Sequence, residues 1–290
     1  MLLGYNTFRK KAALLEEVRY MEDHKVITKL QDLTYLKWSH IRSSSGTAGT
    51  FLKSESVIDG GKRYYKLSNF DPVNGVVGHE CVNEIIVDRL LTLLEVEHVP
   101  YSLIHARIQL EGNTFETWLC ESSDFKQRGE SKLALDNYYA ANRNSGESRL
   151  DFCIRNGWRE YVETMLAVDY LILNRDRHGA NIEVLRNARA HSLRLAPLFD
   201  HGLSLLCSCL SEMEAERFDV MEDKRCQNFI GGYSCFENLQ MIRDRKNVFQ
   251  GTLKPEDRKR IFDGLEDALP DIFRKKIWDM IWERYKVLMG

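Results

Sequence analysis

Prolines are scarce, five in 290 residues, and they do not cluster. Without a Pro-rich run, no stiff linker divides the chain. An excess of either charge is also missing: 41 Lys plus Arg against 43 Asp plus Glu give a formal net charge of -2. That excludes a global positive field drawing the protein to nucleic acid or an anionic membrane, and no basic recognition helix stands out. No stretch approaches the roughly 18 consecutive apolar residues of a transmembrane helix. The opening MLLGYNTFRKKAALLEE breaks its short apolar runs with charge and lacks the core of a secretory signal. A cytoplasmic location is expected, with export by a route needing no signal peptide left open. Seven cysteines lie scattered at 81, 120, 153, 207, 209, 226 and 235, with no Cys-x-x-Cys pair. The 207/209 pair lacks the partners a zinc site needs, so free thiols in a reducing compartment are expected. Neither Gly-x-x-x-x-Gly-Lys-Ser/Thr nor Gly-x-Gly-x-x-Gly occurs, which removes the two commonest glycine-rich phosphate loops.

What is present suffices for a sizeable core. Hydrophobic content of 43% and aromatic content of 10% are ordinary for a globular chain. The length allows one large domain or two lobes around one cleft. Residues 5 to 36 carry a partial apolar stripe through Leu14, Leu15, Val18, Met21 and Val26, which predicts helix. Between 37 and 70 two or three antiparallel strands are expected. Phe51-Leu52-Lys53 and Arg63-Tyr64-Tyr65-Lys66-Leu67 flank Asp59-Gly60-Gly61, a hairpin signal. Residues 79 to 95 read as an amphipathic helix. Strand character resumes over 99 to 119, with a turn at Glu111-Gly112-Asn113. Beyond about residue 130, helices are expected at 131–142, 157–173, 204–216, 255–267 and 270–287. A hairpin across 182–199 interrupts them.

The densest information lies in Asn174-Arg175-Asp176-Arg177-His178-Gly179-Ala180-Asn181 and in Pro197-Leu198-Phe199-Asp200-His201-Gly202. An Asp, an Asn five residues on, and a later Asp before a Gly match the polar set of a phosphoryl-transfer site. There one Asp takes the hydroxyl proton, while the Asn and the second Asp hold magnesium. The flanks agree: YVETMLAVDYLIL reads as a buried helix ending just before Asn174, and LRLAPLF as a buried strand ending at Asp200. Asp176 is the candidate catalytic base, with Asn181 and Asp200 the candidate metal ligands. Taken with the sheet-then-helix order, this predicts an α+β, bilobal, protein-kinase-like fold. A helical extension covers 1–36, a small β-rich lobe with one key helix 37–123, and a larger α-helical lobe 124–290.

The other parts of such a site can be sought by position. The stretch Ser43-Ser44-Ser45-Gly46-Thr47-Ala48-Gly49-Thr50 can cover the phosphates. In it Gly46 and Gly49 admit close backbone approach, and Ser45 and Thr47 offer hydroxyl donors. Lys66 stands in an otherwise apolar strand and needs a carboxylate partner. Glu84 in the following helix is preferred, with Glu80 one turn earlier as the competitor. Thr117 to Ser123 passes from strand to polar loop where a kinase hinge would read adenine. That makes Glu121 and Ser123 positional candidates for nucleotide contact. His178 is expected to brace the loop rather than act as a base.

These residues resemble the HipA-like serine/threonine kinases. Asn174 to Asn181 matches that family's N-x-D-R-H-x-x-N loop, Pro197 to Gly202 its P-x-[FY]-D-x-G, and Lys66 with Asn83-Glu84 its lysine strand and N-E helix. The resemblance spans roughly residues 38 to 290. It implies ATP and Mg2+ as cofactors, a protein substrate with a serine or threonine hydroxyl, and a phosphate loop open to inhibitory autophosphorylation. HipA toxins carry an extra amino-terminal β-subdomain where only a short helical segment is expected here before the first strands, so the sequence looks more like compact bacterial members. An antitoxin-type partner therefore stays open without being carried by the resemblance, and no direct nucleic-acid binding is expected. Phosphoinositide kinases carry a similar Asp-Arg-His loop. A lipid or small-molecule kinase is one alternative, and a pseudokinase binding module is another, although the intact Lys66, Asp176, Asn181 and Asp200 argue against the latter.

Overall fold

The computed structural model describes residues 25–41, 48–58, 60–71 and 73–290. In the first half, strands β1 (Val26–Asp32), β2 (Ser39–Ile41), β3 (Ala48–Ile58) and β4 (Gly61–Leu67) precede a short ribbon, β5 (Phe70–Asp71) with β6 (Gly75–Val76). Helix α1 (Glu80–Leu93) follows, then β7 (Tyr101–Leu110) and β8 (Asn113–Ser123). Six strands form one sheet in the order β1-β7-β8-β4-β3-β2. Both hairpin signals form. Gly60, at φ 77°, closes β3 onto β4. Glu111 and Gly112, at φ 47° and 84°, close β7 onto β8, the two successive left-handed residues of a tight hairpin.

Strand β1 corrects the helical reading of residues 5–36 over its own length. Val26, Ile27 and Thr28 are β-branched and suit a strand. β1 pairs in parallel with β7, from Val26↔Leu103 to Asp32↔Arg107, a contact no local window contains. Residues 1–24 lie outside the described part.

Helix α1 is buried on almost every side. Cys81, Ile85, Ile86 and Leu90 are fully buried in one core with Leu103 and Cys120 of the sheet and Leu166 and Ile281 of the second half. Burying each such Ile or Leu side chain is worth about 1.5–3 kcal/mol. The other face of the sheet holds a separate core of Leu36, Tyr65, Leu67, Ile104, Ile108 and Leu119. Two polar ties fix α1 further. Asp88 Oδ1 meets His98 Nε2 at 3.0 Å and accepts from Tyr101 N at 3.2 Å. Arg89 donates to the Ile261 and Asp263 carbonyls at 3.0 and 2.7 Å.

The second half opens with β9 (Glu130–Ala134), α2 (Leu135–Asn142), α3 (Arg149–Arg155) and α4 (Arg159–Leu171). After it come β10 (Asp176–Arg177), β11 (Glu183–Asn187), β12 (Ser192–Leu195), α5 (Glu212–Arg217), β13 (Gln227–Asn228), α6 (Cys235–Asn238), α7 (Asp257–Phe262) and α8 (Asp271–Met289). The hairpin expected across 182–199 is β11 with β12, and β9 joins it as a third strand. The expected helix over 131–142 is thereby corrected: residues 130–134 alternate between half-buried and exposed as a strand does, and helix starts only at Leu135. The helix expected over 204–216 shrinks to α5, which is N-capped by Ser211 in a reciprocal capping box with Glu214. Residues before it are tied to the end of α4 and the Asp176 loop instead, through Leu205 N to the Ile172 carbonyl and Arg175 N to the Leu203 carbonyl. Gly264, at φ 72°, follows the short α7. Helix α8 is held by buried Arg284, which donates to the Val220, Tyr170 and Glu222 carbonyls at 2.9, 3.1 and 2.6 Å. The result is a mixed α/β molecule with a sheet-rich lobe and a helical lobe, and α1 is wedged between them.

Candidate active site

The β3–β4 hairpin register sets Lys53 directly opposite Lys66. Like charges opposed across strands repel unless an acid stands between them. Asp200 supplies that acid. Its Oδ1 receives the Lys66 ammonium and its Oδ2 lies 3.9 Å from Lys53 Nζ. Lys66 also pairs with Glu84 Oε1 at 2.7 Å. Glu80, the alternative partner, instead accepts from the Asn69 backbone at 3.1 Å. Burial alone would lower the Lys66 pKa, but Asp200 and Glu84 outweigh it and hold the ammonium well above the usual lysine value.

Helix α1 also docks the Asp200 loop. Glu84 Oε2 accepts from His201 N at 2.8 Å. Asn83 Nδ2 donates to the Gly202 and Ser204 carbonyls at 3.0 and 3.1 Å. Asp200 itself sits at φ 61°, the left-handed region that Asp tolerates better than most residues. At Gly202 a Cβ would lie 3.2 Å from Lys66 Nζ and 3.1 Å from Glu80 Cβ, so the lack of a side chain there lets the loop close on the ion pair. His201 is fully buried, and burial followed by the nearby Arg177 charge pushes its pKa well down, so its ring is neutral.

The Asp176 loop is organised from below by a pair that sequence reasoning passed over. Asp169, near the end of α4, accepts from Arg177 Nη2 at 2.9 Å and from Asn174 Nδ2 at 2.8 Å. Both Asp169 and Arg177 are buried. Arg177 Nη1 then reaches the Asn181 carbonyl at 3.3 Å and the Phe199 carbonyl at 3.1 Å, joining the two motif segments. Asn174 Oδ1 accepts from Asp176 N at 3.2 Å, and Asn181 Nδ2 donates to the Asp176 carbonyl at 2.8 Å. Its sequence context is a carboxylate in the apolar end of a helical run that also holds Glu163, eight residues before an arginine. His178 braces the loop: its Nδ1 accepts from Ala180 N at 3.2 Å, and its Nε2 lies 3.6 Å from Asp176 Oδ1. Burial lifts the Asp176 carboxyl above its usual value; His178 opposes the rise and the Asp200 charge adds to it.

A cavity of about 460 Å³ opens beside these groups, in the range of small-molecule sites. Its walls include Lys53, Lys66, Tyr101, Phe125, Phe199 and Asp200, with Ser122 and Ser123 at the end of β8. Ser54 Oγ and Glu183 Oε2 also line it, buried and without a hydrogen-bond partner among the described residues. Glu121 is not among its lining residues; its carboxylate lies 3.7 Å from Arg63 Nη1, so any ligand contact from it would run through backbone. Of the suggested phosphate cover, Ser45, Gly46 and Thr47 lie outside the described residues, and Gly49 falls within β3. Lys53, a charged residue of the cavity wall, was named in the sequence only as part of a strand. The hairpin register already set it opposite Lys66.

Asp176 and Asn181 thus stand on one loop, with Lys66, Glu84 and Asp200 meeting beside it. Asp200 and Asn181 offer hard oxygen atoms, the donor type that magnesium takes.

No family model matches this sequence, and no curated protein does. Among solved structures, the crystal structure of a Helicobacter pylori proinflammatory kinase, CtkA, is similar over 89% of this chain and 96% of its own. The identity is 13% and the TM-score 0.57. The HipA chain of a Shewanella oneidensis MR-1 toxin–antitoxin complex with HipB and operator DNA aligns over 94% of this chain and 63% of its own. Its identity is 13% and its TM-score 0.38. With its sheet-rich lobe, wedged helix and helical lobe, the chain has a kinase-like fold.

Proposed function

We propose that the protein is an ATP- and magnesium-dependent kinase of the HipA-like type that phosphorylates serine or threonine hydroxyls of a protein. The observation that carries this reading is the junction of Lys66 with Glu84 and Asp200 at a cavity wall, close enough to the Asp176 loop for the Lys66 and Asp200 charges to act on the Asp176 carboxyl. Asp200 and Asn181 would hold magnesium, and Lys66 would contact the nucleotide phosphates. Bound magnesium–ATP supplies the phosphoryl group with its charge offset. Asp176 orients the acceptor hydroxyl and takes its proton, a task suited to a carboxyl whose pKa burial has raised. Glu84 fixes the ammonium of Lys66 and, through His201 N, the loop carrying Asp200. The 43–50 stretch would cover the phosphates and present its hydroxyls for autophosphorylation.

The test is transfer of labelled phosphate from magnesium–ATP to protein acceptors and to the protein itself. Asp176→Asn should lower turnover by about 10²- to 10⁴-fold while nucleotide affinity stays near normal. Near-normal turnover in that variant would remove Asp176 from the role. Absence of any phosphate on 43–50 in active protein would end the autophosphorylation idea alone.

A further inference from the structure

A second cavity, of about 1130 Å³, is lined by Asp176 and His178 and by three arginines, Arg149, Arg175 and Arg225. Apart from Asp176, Asp136 is the one carboxylate on its wall among the described residues. None of the three arginines forms an ion pair with a described carboxylate. Arg155, Arg159, Arg194 and Arg243 elsewhere all do. Three guanidiniums without acids around one cavity are a positive feature in a chain of net charge -2.

Two of these arginines are held in place by aromatic rings. Arg149 lies 4.6 Å from the Phe229 ring and donates to the Phe229 carbonyl at 2.8 Å. Arg225 lies 4.6 Å from the ring of Tyr233, which is 65% exposed. A guanidinium stacked on a ring keeps its N–H edge for a planar carboxylate, and little side-chain freedom is left to lose on binding.

The wall is also locked to the base. β10 and β13 pair in parallel, Asp176↔Gln227 and Arg177↔Asn228. Gln227 N donates to the Arg175 carbonyl and Phe229 N to the Arg177 carbonyl, both at 2.8 Å. Buried Asn228 ties down the next turn, accepting from Ile230 N at 3.0 Å and Gly231 N at 2.9 Å. The segment from Arg225 to Phe229 therefore keeps a fixed register beside Asp176.

We propose that this cavity is the acceptor groove and that it selects protein segments whose serine or threonine is flanked by Asp or Glu. Arg175, next to the base, reads a carboxylate near the hydroxyl; Arg149 and Arg225 read more distant ones. The inference rests on the kinase reading given above. An acidic peptide fits better than an inositol lipid. The ring-stacked forks would take either anion, but the near-neutral chain has no field to bring it to an anionic surface.

The experiment uses the full chain with three serine peptides, flanked by glutamates, alanines or lysines, and vesicles containing phosphatidylinositol. Binding is read by fluorescence anisotropy or sedimentation with a non-hydrolysable ATP analogue, and phosphate incorporation is read separately. The glutamate peptide should bind about 10-fold tighter than the alanine one, a preference that fades with added salt. Arg149→Glu with Arg225→Glu should reverse the order toward the lysine peptide without changing magnesium–ATP affinity, which also shows that the variant folds. Equal binding of all peptides, a preference untouched by the double variant, or binding to vesicles alone would overturn the inference. Those results leave the kinase reading standing wherever labelled phosphate still moves. Tight glutamate-peptide binding with no nucleotide binding and no transfer would sink the kinase reading instead.

Discussion

Lys66 and Arg177 are both buried cations, yet they are built for different work. Arg177 is fully enclosed within the helical lobe, and its planar fork is used up by Asp169 and by the Asn181 and Phe199 carbonyls. Lys66 has a single ammonium between two carboxylates, at a cavity wall and on the seam between the lobes. Arg177 holds loops in register through many short, directional bonds. Lys66 holds a point charge where a ligand can reach it. Burial of a charge is therefore not by itself a mark of function; a charge that also faces a cavity is the more telling observation.

The largest effect should come from breaking the enclosed pair. Arg177→Ala leaves Asp169 buried without its cation and should cost about 3–5 kcal/mol of stability, read from denaturant unfolding. Lys66→Ala should cost clearly less, since Asp200 keeps contact with solvent and Glu84 keeps its bond to His201 N. Equal losses would erase the contrast.

Activity should move the other way. Lys66→Ala and Glu84→Ala should each lower turnover by about 10²- to 10³-fold, the scale of losing one positioned electrostatic contact. The double variant should be little worse than Lys66→Ala, because the two act as a unit. Additive losses would separate them. Glu80→Ala, which removes only the acceptor for Asn69 N, should be far milder.

Asp200→Ala should then weaken magnesium–ATP binding more than Asn181→Ala, because a carboxylate offsets charge that an amide oxygen cannot. Calorimetric titration with unchanged affinity in the Asp200 variant would count against its role as a ligand.

The smallest effect is in pH. In its proposed role Asp176 must be ionised to accept a proton, and its pKa lies above the ordinary aspartate value of 3.8. Turnover should therefore fall as pH drops through that raised pKa, so the acid limb should stand above pH 3.8. His178→Gln removes the group that pulls the pKa down and should shift the limb further upward. A limb that stays put would separate His178 from the titration.

Much of the site could be read from sequence because its parts are local. Asp176 and Asn181 share one loop, both hairpin turns carry glycine, and α1 keeps its apolar periodicity, so short-range sterics and burial specify them. β1 was misread because its pairing with β7 lies more than seventy residues away. The helix expected over 204–216 failed because the bonds of Arg175 N to the Leu203 carbonyl and Leu205 N to the Ile172 carbonyl hold that segment to the Asp176 loop. Asp169 was hidden in an apolar run, where nothing local distinguishes a buried acid from an exposed one.

By itself, then, the sequence determined which candidate site residues share a loop, a strand or a helix and which elements carry them. Only the tertiary structure decided that Glu84 rather than Glu80 meets Lys66, that Asp200 stands between two lysines, and that three arginines share a cavity with Asp176. The reason is physical. Backbone periodicity is a property of neighbours along the chain, whereas the partner of a charge is chosen by whichever distant element brings an opposite charge within a few ångströms and excludes water there.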